Sequence, residues 1–220
     1  MDHRERAREL AREYNADDRP TDWFDVLYSE GVDGEAEIPW AEFEPNPNLV
    51  EWLEETTVSP AGKSALEIGC GLGDDAEELV ERGFDVTAFD VSPTAIRRCR
   101  ERFPDSSVTY RVEDLFDAPA DWSRSFDFVL ESYTLQVLPR PERRRAVRAI
   151  ADFVKPDGTL LVICRGRDAD RSEGDLPWPL RKETVMRFED RGLELVGFED
   201  YLDDETPPVR RFRAEFERPR

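Results

Sequence analysis

The stretch from Ser64 to Gly83 constrains this chain more than any other. A short apolar run, Ala65–Ile68, passes into Gly69-Cys70-Gly71-Leu72-Gly73 and then into Asp74–Arg82, where Ala76, Leu79 and Val80 recur at helical spacing. Strand, glycine turn and helix follow one another within a single supersecondary unit. Asp74 and Glu77 have the spacing of a capping pair, and Gly83 stands where a helix ends. The rhythm then repeats. Asp85–Phe89 reads as a strand, and Ser92-Pro93 opens a helix that buries Ile96, Cys99 and Phe103. Val108, Tyr110 and Val112 alternate, and Phe126–Leu130 is a fourth strand. Pro141–Val154 is helical, with Val147, Ile150 and Val154 inward, and ends at Lys155-Pro156-Asp157-Gly158. Thr159–Cys164 is the fifth strand. A helix near 180–191 stops at Gly192. Leu193–Asp200 and Val209–Glu217 then read as two strands joined across Pro207-Pro208. Alternating units of this kind predict a doubly wound α/β fold with helices on both faces. Its sheet should be mostly parallel and seven-stranded, closing in an antiparallel C-terminal hairpin whose reversed strand lies at the edge.

Upstream of that rhythm the chain is different. Ala7, Leu10, Ala11 and Tyr14 form one helical stripe, and a loop-like stretch carries Trp23 and Trp40. Asn46-Pro47 then has the character of an N-cap and first helical residue before Leu49, Val50 and Leu53. The chain therefore divides into an N-terminal helix and aromatic segment, 1–47, and a domain over 48–220. At 220 residues, one well-buried core is expected.

Composition narrows the partners. The formal net charge is -20, from 51 Asp+Glu against 31 Lys+Arg, and all but Lys63, Lys155 and Lys182 of those bases are Arg. An acidic, lysine-poor surface resembles that of cytosolic proteins from extreme halophiles, where salt screens the repulsion. Such a field repels phosphate backbones, so nucleic acid is disfavoured as a partner. Arg143-Arg144-Arg145 is the one dense basic run, and on a helix its members point apart, as a solvated face would. Cys70, Cys99 and Cys164 are odd in number and widely spaced, which indicates neither a disulfide framework nor a zinc site. A charged N-terminus and the lack of a long apolar run predict a cytoplasmic protein without membrane segments.

The chemistry sits at the strand ends. Glycines after the first strand let the backbone turn tightly and let a ligand approach the main chain. Asp90 closes the second strand 21 residues after Gly69, the spacing of an acid that accepts from ribose hydroxyls. An adenosine-type ligand follows. A dinucleotide fingerprint would need Gly or Ala at Asp74, and a pyrophosphate needs a helix start free of anions. Here Asp74, Asp75, Glu77 and Glu78 crowd that start. The site disfavours NAD and FAD and suits S-adenosylmethionine, which carries an ammonium and a sulfonium.

Four ordered segments carry a family resemblance: Leu66–Gly73, Phe89-Asp90-Val91-Ser92, Glu113-Asp114-Leu115 and Phe126–Glu131. Over roughly residues 48–217 the chain resembles Rossmann-like, class I S-adenosylmethionine-dependent methyltransferases. The resemblance implies that Glu67, Gly69, Cys70 and Gly71 shape the pocket for the methionine part. It implies that Asp90 accepts from the ribose, that Val91 and Ser92 flank the adenosine, and that Glu113, Asp114 and Leu115 surround the adenine. Glu131 and Ser132 would lie at the sulfonium end. A second resemblance comes from Asp22-Trp23-Phe24, Ile38-Pro39-Trp40, Pro45-Asn46-Pro47 and Pro177-Trp178-Pro179-Leu180, which are similar to thiopurine- and thiol-methyltransferase-like members acting on small molecules. Ala41 stands where many of those members have Asp. This likeness implies an aromatic lid carrying Trp23 and Trp40, for which packing in the core is the alternative; Tyr133, just after the fourth strand, is a separate candidate to orient the acceptor, with an ordinary rim tyrosine as its alternative.

No catalytic base stands out. The one histidine, His3, lies at the terminus, and no metal-ligand cluster is visible. Glu131-Ser132-Tyr133-Thr134 replaces the Asn-Pro-Pro-Tyr motif of many amino-methylating enzymes. The reading is methylation of a small-molecule acceptor. Its alternatives are methylation of RNA or protein, or a catalytically silent cofactor-binding partner subunit.

Overall fold

The computed structural model describes residues 4–33, 38–56 and 59–220. The N-terminal helices are α1 (Glu5–Ala16) and α2 (Trp23–Asp33), followed by α3 (Pro47–Glu55). Then come β1 (Ser64–Ile68), α4 (Asp74–Arg82), β2 (Asp85–Asp90), α5 (Pro93–Arg102), β3 (Thr109–Val112), β4 (Phe126–Ser132), α6 (Arg140–Phe153) and β5 (Val154–Arg167). The chain closes with β6 (Leu180–Arg181), α7 (Lys182–Val185), a 3-10 turn at Met186–Arg191, β7 (Glu194–Leu202) and β8 (Arg210–Glu217).

The strands form one sheet in the order β3-β2-β1-β4-β5-β8-β7, and the two-residue β6 pairs with β5 off that path. β1 to β5 are mutually parallel, while β8 runs antiparallel to both β5 and β7. The α/β architecture, the parallel centre and the C-terminal hairpin are as the sequence predicts. The reversed strand is not the edge, however. β8 lies inside and β7 takes the edge, because β8 buries Phe212, Ala214 and Phe216 whereas Glu194, Val196, Glu199 and Asp200 on β7 face water.

Apolar layers cover both faces of the sheet. Along β5, Leu160, Val162 and Cys164 enter the core under α6, and Leu161 and Ile163 enter the one under α3, α4 and α5. α3 begins as expected, with the Asn46 side chain accepting from Asn48 N at 3.0 Å. Its inward face is Leu49 and Trp52 with Asn48, instead of Leu49, Val50 and Leu53.

Four further expectations are corrected. The stretch after Trp23 is a helix, not a loop, because Trp23 and Leu27 pack one turn apart against Ala7, Leu10 and Ala11 of α1. Asp74 and Glu77 do not cap α4. Gly73, left-handed at φ 89°, precedes the helix, while Asp74 pairs with Arg102 and Glu77 accepts from the Tyr110 hydroxyl. The helix near 180–191 is one short α-turn continued as 3-10. Arg143 is also not solvated: its guanidinium donates to Leu135 O and Leu138 O and pairs with Glu173.

Candidate active site

A cavity of about 1240 Å³ opens over the carboxyl ends of β1, β2 and β4, between them and the α2 side. Its floor is the turn after β1. Gly69 and Gly71 have φ of 62° and 55°, a region that L side chains rarely adopt. A Cβ at Gly69 would lie 2.6 Å from Thr134 Oγ1, and one at Gly71 would lie 3.0 Å from the Tyr28 hydroxyl. The turn is thus compressed between β4's exit and α2, and its backbone faces the cavity.

Two buried acids flank it. Asp90, 5% exposed, accepts from Gly71 N at 3.0 Å and Ser92 N at 2.9 Å, and burial raises it to about 6. Glu67 is 4% exposed, and its Oε2 has no hydrogen-bond partner. Burial pushes its carboxyl well above the usual range, and the nearby Asp75, Asp74 and Asp90 add to this. Asp75, at the start of α4, accepts from Asn46 N at 2.6 Å and is raised by burial to about 6.

The cavity wall also includes Cys70, Val91, Glu113, Asp114, Leu115, Ser132, Tyr133 and Trp40. Asp114 Oδ1 accepts from Phe116 N at 2.8 Å, and Glu113 is engaged by Arg111. Ser132 accepts from Asn46 Nδ2 at 3.0 Å. Tyr133 lies under the Arg211 guanidinium, and burial lifts its hydroxyl to about 12. Trp40 donates to the Tyr28 hydroxyl at 2.7 Å.

Three expected site residues stand off this wall. Ser92 is fully buried as the N-cap of α5, accepting from Ala95 N and donating to Asp25 at 2.6 Å. Glu131 is buried behind the wall, where Oε1 accepts from Leu135 N and burial raises the carboxyl to about 7. Trp23 is wholly buried, stacked on Phe24 and donating to Pro20 O. His3 falls outside the described residues. Among the described residues, no group of His, Cys, Asp and Glu could hold a metal.

Sequence reasoning missed Tyr28, Asn46, Asp75 and Thr134 as wall residues. Each was visible only as a cap, a helix acid or an ordinary polar residue. Folding brings them together from segments as far apart as Asn46 and Ser132.

Residues 65–158 match the family model described as a methyltransferase domain. Over that segment the chain is similar to methyltransferase domains. Over 160 residues the chain is 31% identical to the ubiquinone biosynthesis O-methyltransferase of Bordetella avium (strain 197N), which covers 70% of this chain and 64% of that protein. It is 34% identical over 124 residues to the enzyme of the same name from Xanthomonas axonopodis pv. citri (strain 306), covering 56% of this chain and 51% of the relative. The chain thus spans between about half and two thirds of the length of these relatives. Among solved structures, the N-methyltransferase NodS from Bradyrhizobium japonicum WM9, in complex with S-adenosyl-L-homocysteine, has the same fold. Its TM-score is 0.70 at 21% identity, over 89% of this chain and 100% of that one. The matched segment of the methyltransferase domain holds the glycine turn, Asp90 and Asp114. Trp40, Asn46, Arg165 and Arg211 reach the cavity from outside it.

Proposed function

We propose that the cavity binds S-adenosylmethionine and that the protein transfers its methyl group to a small-molecule acceptor. The observation that carries this reading is Glu67: a buried carboxylate, one oxygen unpartnered, on the wall beside a glycine turn. An isolated buried carboxylate is costly unless a cation meets it, and an ammonium supplies one. A pyrophosphate fits poorly here, because Asp74 and Asp75 occupy the start of α4.

Bound S-adenosylmethionine supplies a methyl group already activated on a sulfonium. The chain's own work is to bind, orient and exclude water. Asp90, held by two backbone N–H groups, presents its remaining lone pairs to ribose hydroxyls. Val91 and Leu115 offer apolar surface to an adenine, beside Asp114. Gly69 and Gly71 admit the methionine part to the backbone. We infer that residues 1–47 cover the site of a domain over 48–220. Trp40 would be the lid's contact with the acceptor, with Trp23 its internal support. Holding donor and acceptor in one water-poor cavity lowers the barrier by positioning alone.

The same reading makes the acceptor a metabolite, since a net charge of -20 opposes nucleic acid. It also takes the location to be cytoplasmic, where the three free cysteines stay reduced. Among the described residues, no helix is long and apolar enough to cross a membrane.

Transfer of labelled methyl from S-adenosylmethionine to a panel of small thiols, amines and hydroxylated acids tests the proposal. Incorporation is expected, and Glu67→Gln should weaken S-adenosylhomocysteine binding by about 1–3 kcal/mol. No incorporation into any acceptor, with undiminished binding by the variant, would contradict it.

A further inference from the structure

Of the arginines in this protein, one stands apart. The five that are buried outright, Arg143, Arg167, Arg211, Arg213 and Arg218, all donate to carboxylates or backbone carbonyls. Arg165 lines the cavity, with its side chain only 16% exposed, yet among the described residues its guanidinium makes no hydrogen bond. Among the described residues its one acidic partner is Glu205, at 4.0 Å. The acid Glu205 and its neighbour Asp203 are already taken by Arg211.

The backbone explains how this weakly paired charge is held in place. Arg165 sits at the carboxyl end of β5, directly opposite Arg211 on the antiparallel β8. Like charges paired across strands destabilise a sheet. Among the described residues Arg211 is compensated closely by Asp203 and Glu205, and Arg165 only by the distant oxygen of Glu205. Burial, with Arg4 and Arg211 close by, holds the Arg165 guanidinium below its ordinary pKa. Its backbone N–H is fixed by Gln136 Oε1 at 2.8 Å, and Gln136 O in turn receives Trp178 N, which brings Leu176 and Pro177 to the same end of the cavity. Tyr133 adds its ring beneath Arg211. In a chain with 20 more acids than bases, a guanidinium that is mostly buried, has no hydrogen bond among the described residues and has its acid as far off as 4.0 Å is a costly arrangement unless a ligand completes it.

We propose that the methyl acceptor carries a carboxylate and that Arg165 receives it, at the end of the cavity walled by Tyr133, Gln136 and Arg211. The proposal rests on the methyl-transfer reading above and adds the acceptor's chemical class. The guanidinium fork matches a carboxylate's two oxygens, whereas a phosphate dianion would meet Asp203 and Glu205 with twice the repulsion. The glycine turn and Asp90 lie on β1 and β2, on the other side of β4, so the cofactor part and the acid-binding part occupy separate ends.

The test titrates isotope-labelled protein with acetate, benzoate and benzamide at constant ionic strength, with and without saturating S-adenosylhomocysteine. It follows the Arg165 Nε–H resonance, assigned by its loss in Arg165→Gln. Both acids should shift that resonance saturably, and benzamide should not. Arg165→Lys keeps the charge and the stem but loses the fork, so benzoate should bind about ten-fold more weakly, with S-adenosylhomocysteine affinity unchanged. The comparison of acid with amide needs only the unaltered protein, so it stands even if a variant misfolds. No saturable shift with either acid, or an equal response to benzamide, overturns the proposal. Inorganic phosphate is titrated in the same way, and a tighter response to it than to the acids overturns the carboxylate in favour of a phosphate-bearing acceptor. Failure of S-adenosylhomocysteine to bind would count against the cofactor reading alone, and calorimetry on the same sample reports it separately.

Discussion

Asp90 joins the local chemistry of this site to its pH behaviour. Two backbone N–H groups fix its carboxylate, so the oxygens facing the cavity are oriented before any ligand arrives. Asp90→Ala removes two charge-assisted acceptors and should cost about 2–4 kcal/mol of S-adenosylhomocysteine affinity, read by calorimetry. An unchanged affinity would mean that the ribose lies elsewhere. Burial raises Asp90 and Asp75 to about 6 from an ordinary 3.8. For the ligand-free protein, a raised folded pKa means that these groups favour folding fully below about 4, and that this contribution is lost as pH rises through about 6. Ligand binding has the opposite sign, since a cationic ligand and its hydroxyls favour the ionised carboxylates. Through Asp90 alone, affinity should therefore strengthen about ten-fold between pH 5 and pH 7 and then level off. A flat profile over that range would show that no buried acid changes its protonation on binding.

At the scale of elements, α2 is the piece whose role the structure changes most. Asp25 on α2 accepts from Ser92 Oγ and Thr94 N, and Tyr28 abuts Gly71, so α2 is bolted to both α5 and the glycine turn. Trp23 and Trp40 then separate two jobs. Trp23→Ala opens a cavity in the N-terminal core and should cost about 3–5 kcal/mol of stability in thermal unfolding. Trp40→Ala should leave melting nearly unchanged and depress turnover more than cofactor affinity. Equal losses of stability in both variants would contradict that division. The strands of the βα rhythm were legible because buried parallel strands are short apolar runs between turns, and Ser92-Pro93 and Gly83 marked helix ends by local rules alone. α2 was not legible, because its apolar face is completed by α1 and Leu176, far away in sequence. The capping of α4 misled for a similar reason: Arg102 and Tyr110 compete for Asp74 and Glu77, and no local pattern announces them. Asp90 and the glycines of the site could be read from spacing. Asn46, Asp75 and Arg165 could not, since their meaning depends on which segments meet.

The molecule as a whole carries -20 formal charges on 220 residues, and that excess sets its behaviour in salt. Mutual repulsion of surface carboxylates is screened within about 10 Å at 0.1 M salt and within about 3 Å at 1 M, so cations favour the compact state. The melting temperature should rise clearly from dilute buffer to molar KCl, and an indifferent melting temperature would set aside the halophile reading. That acidity also bears on the ligand, since it favours a cationic cofactor over a diphosphate throughout. The central claim is that the turn after β1, with Glu67 and Asp90 beside it, is built for S-adenosylmethionine and not for a nicotinamide dinucleotide. Calorimetry of the purified protein with S-adenosylhomocysteine and NADH, under identical salt and pH, tests this most directly. S-adenosylhomocysteine should bind and NADH should give no measurable heat of binding; tighter binding of NADH would contradict the account.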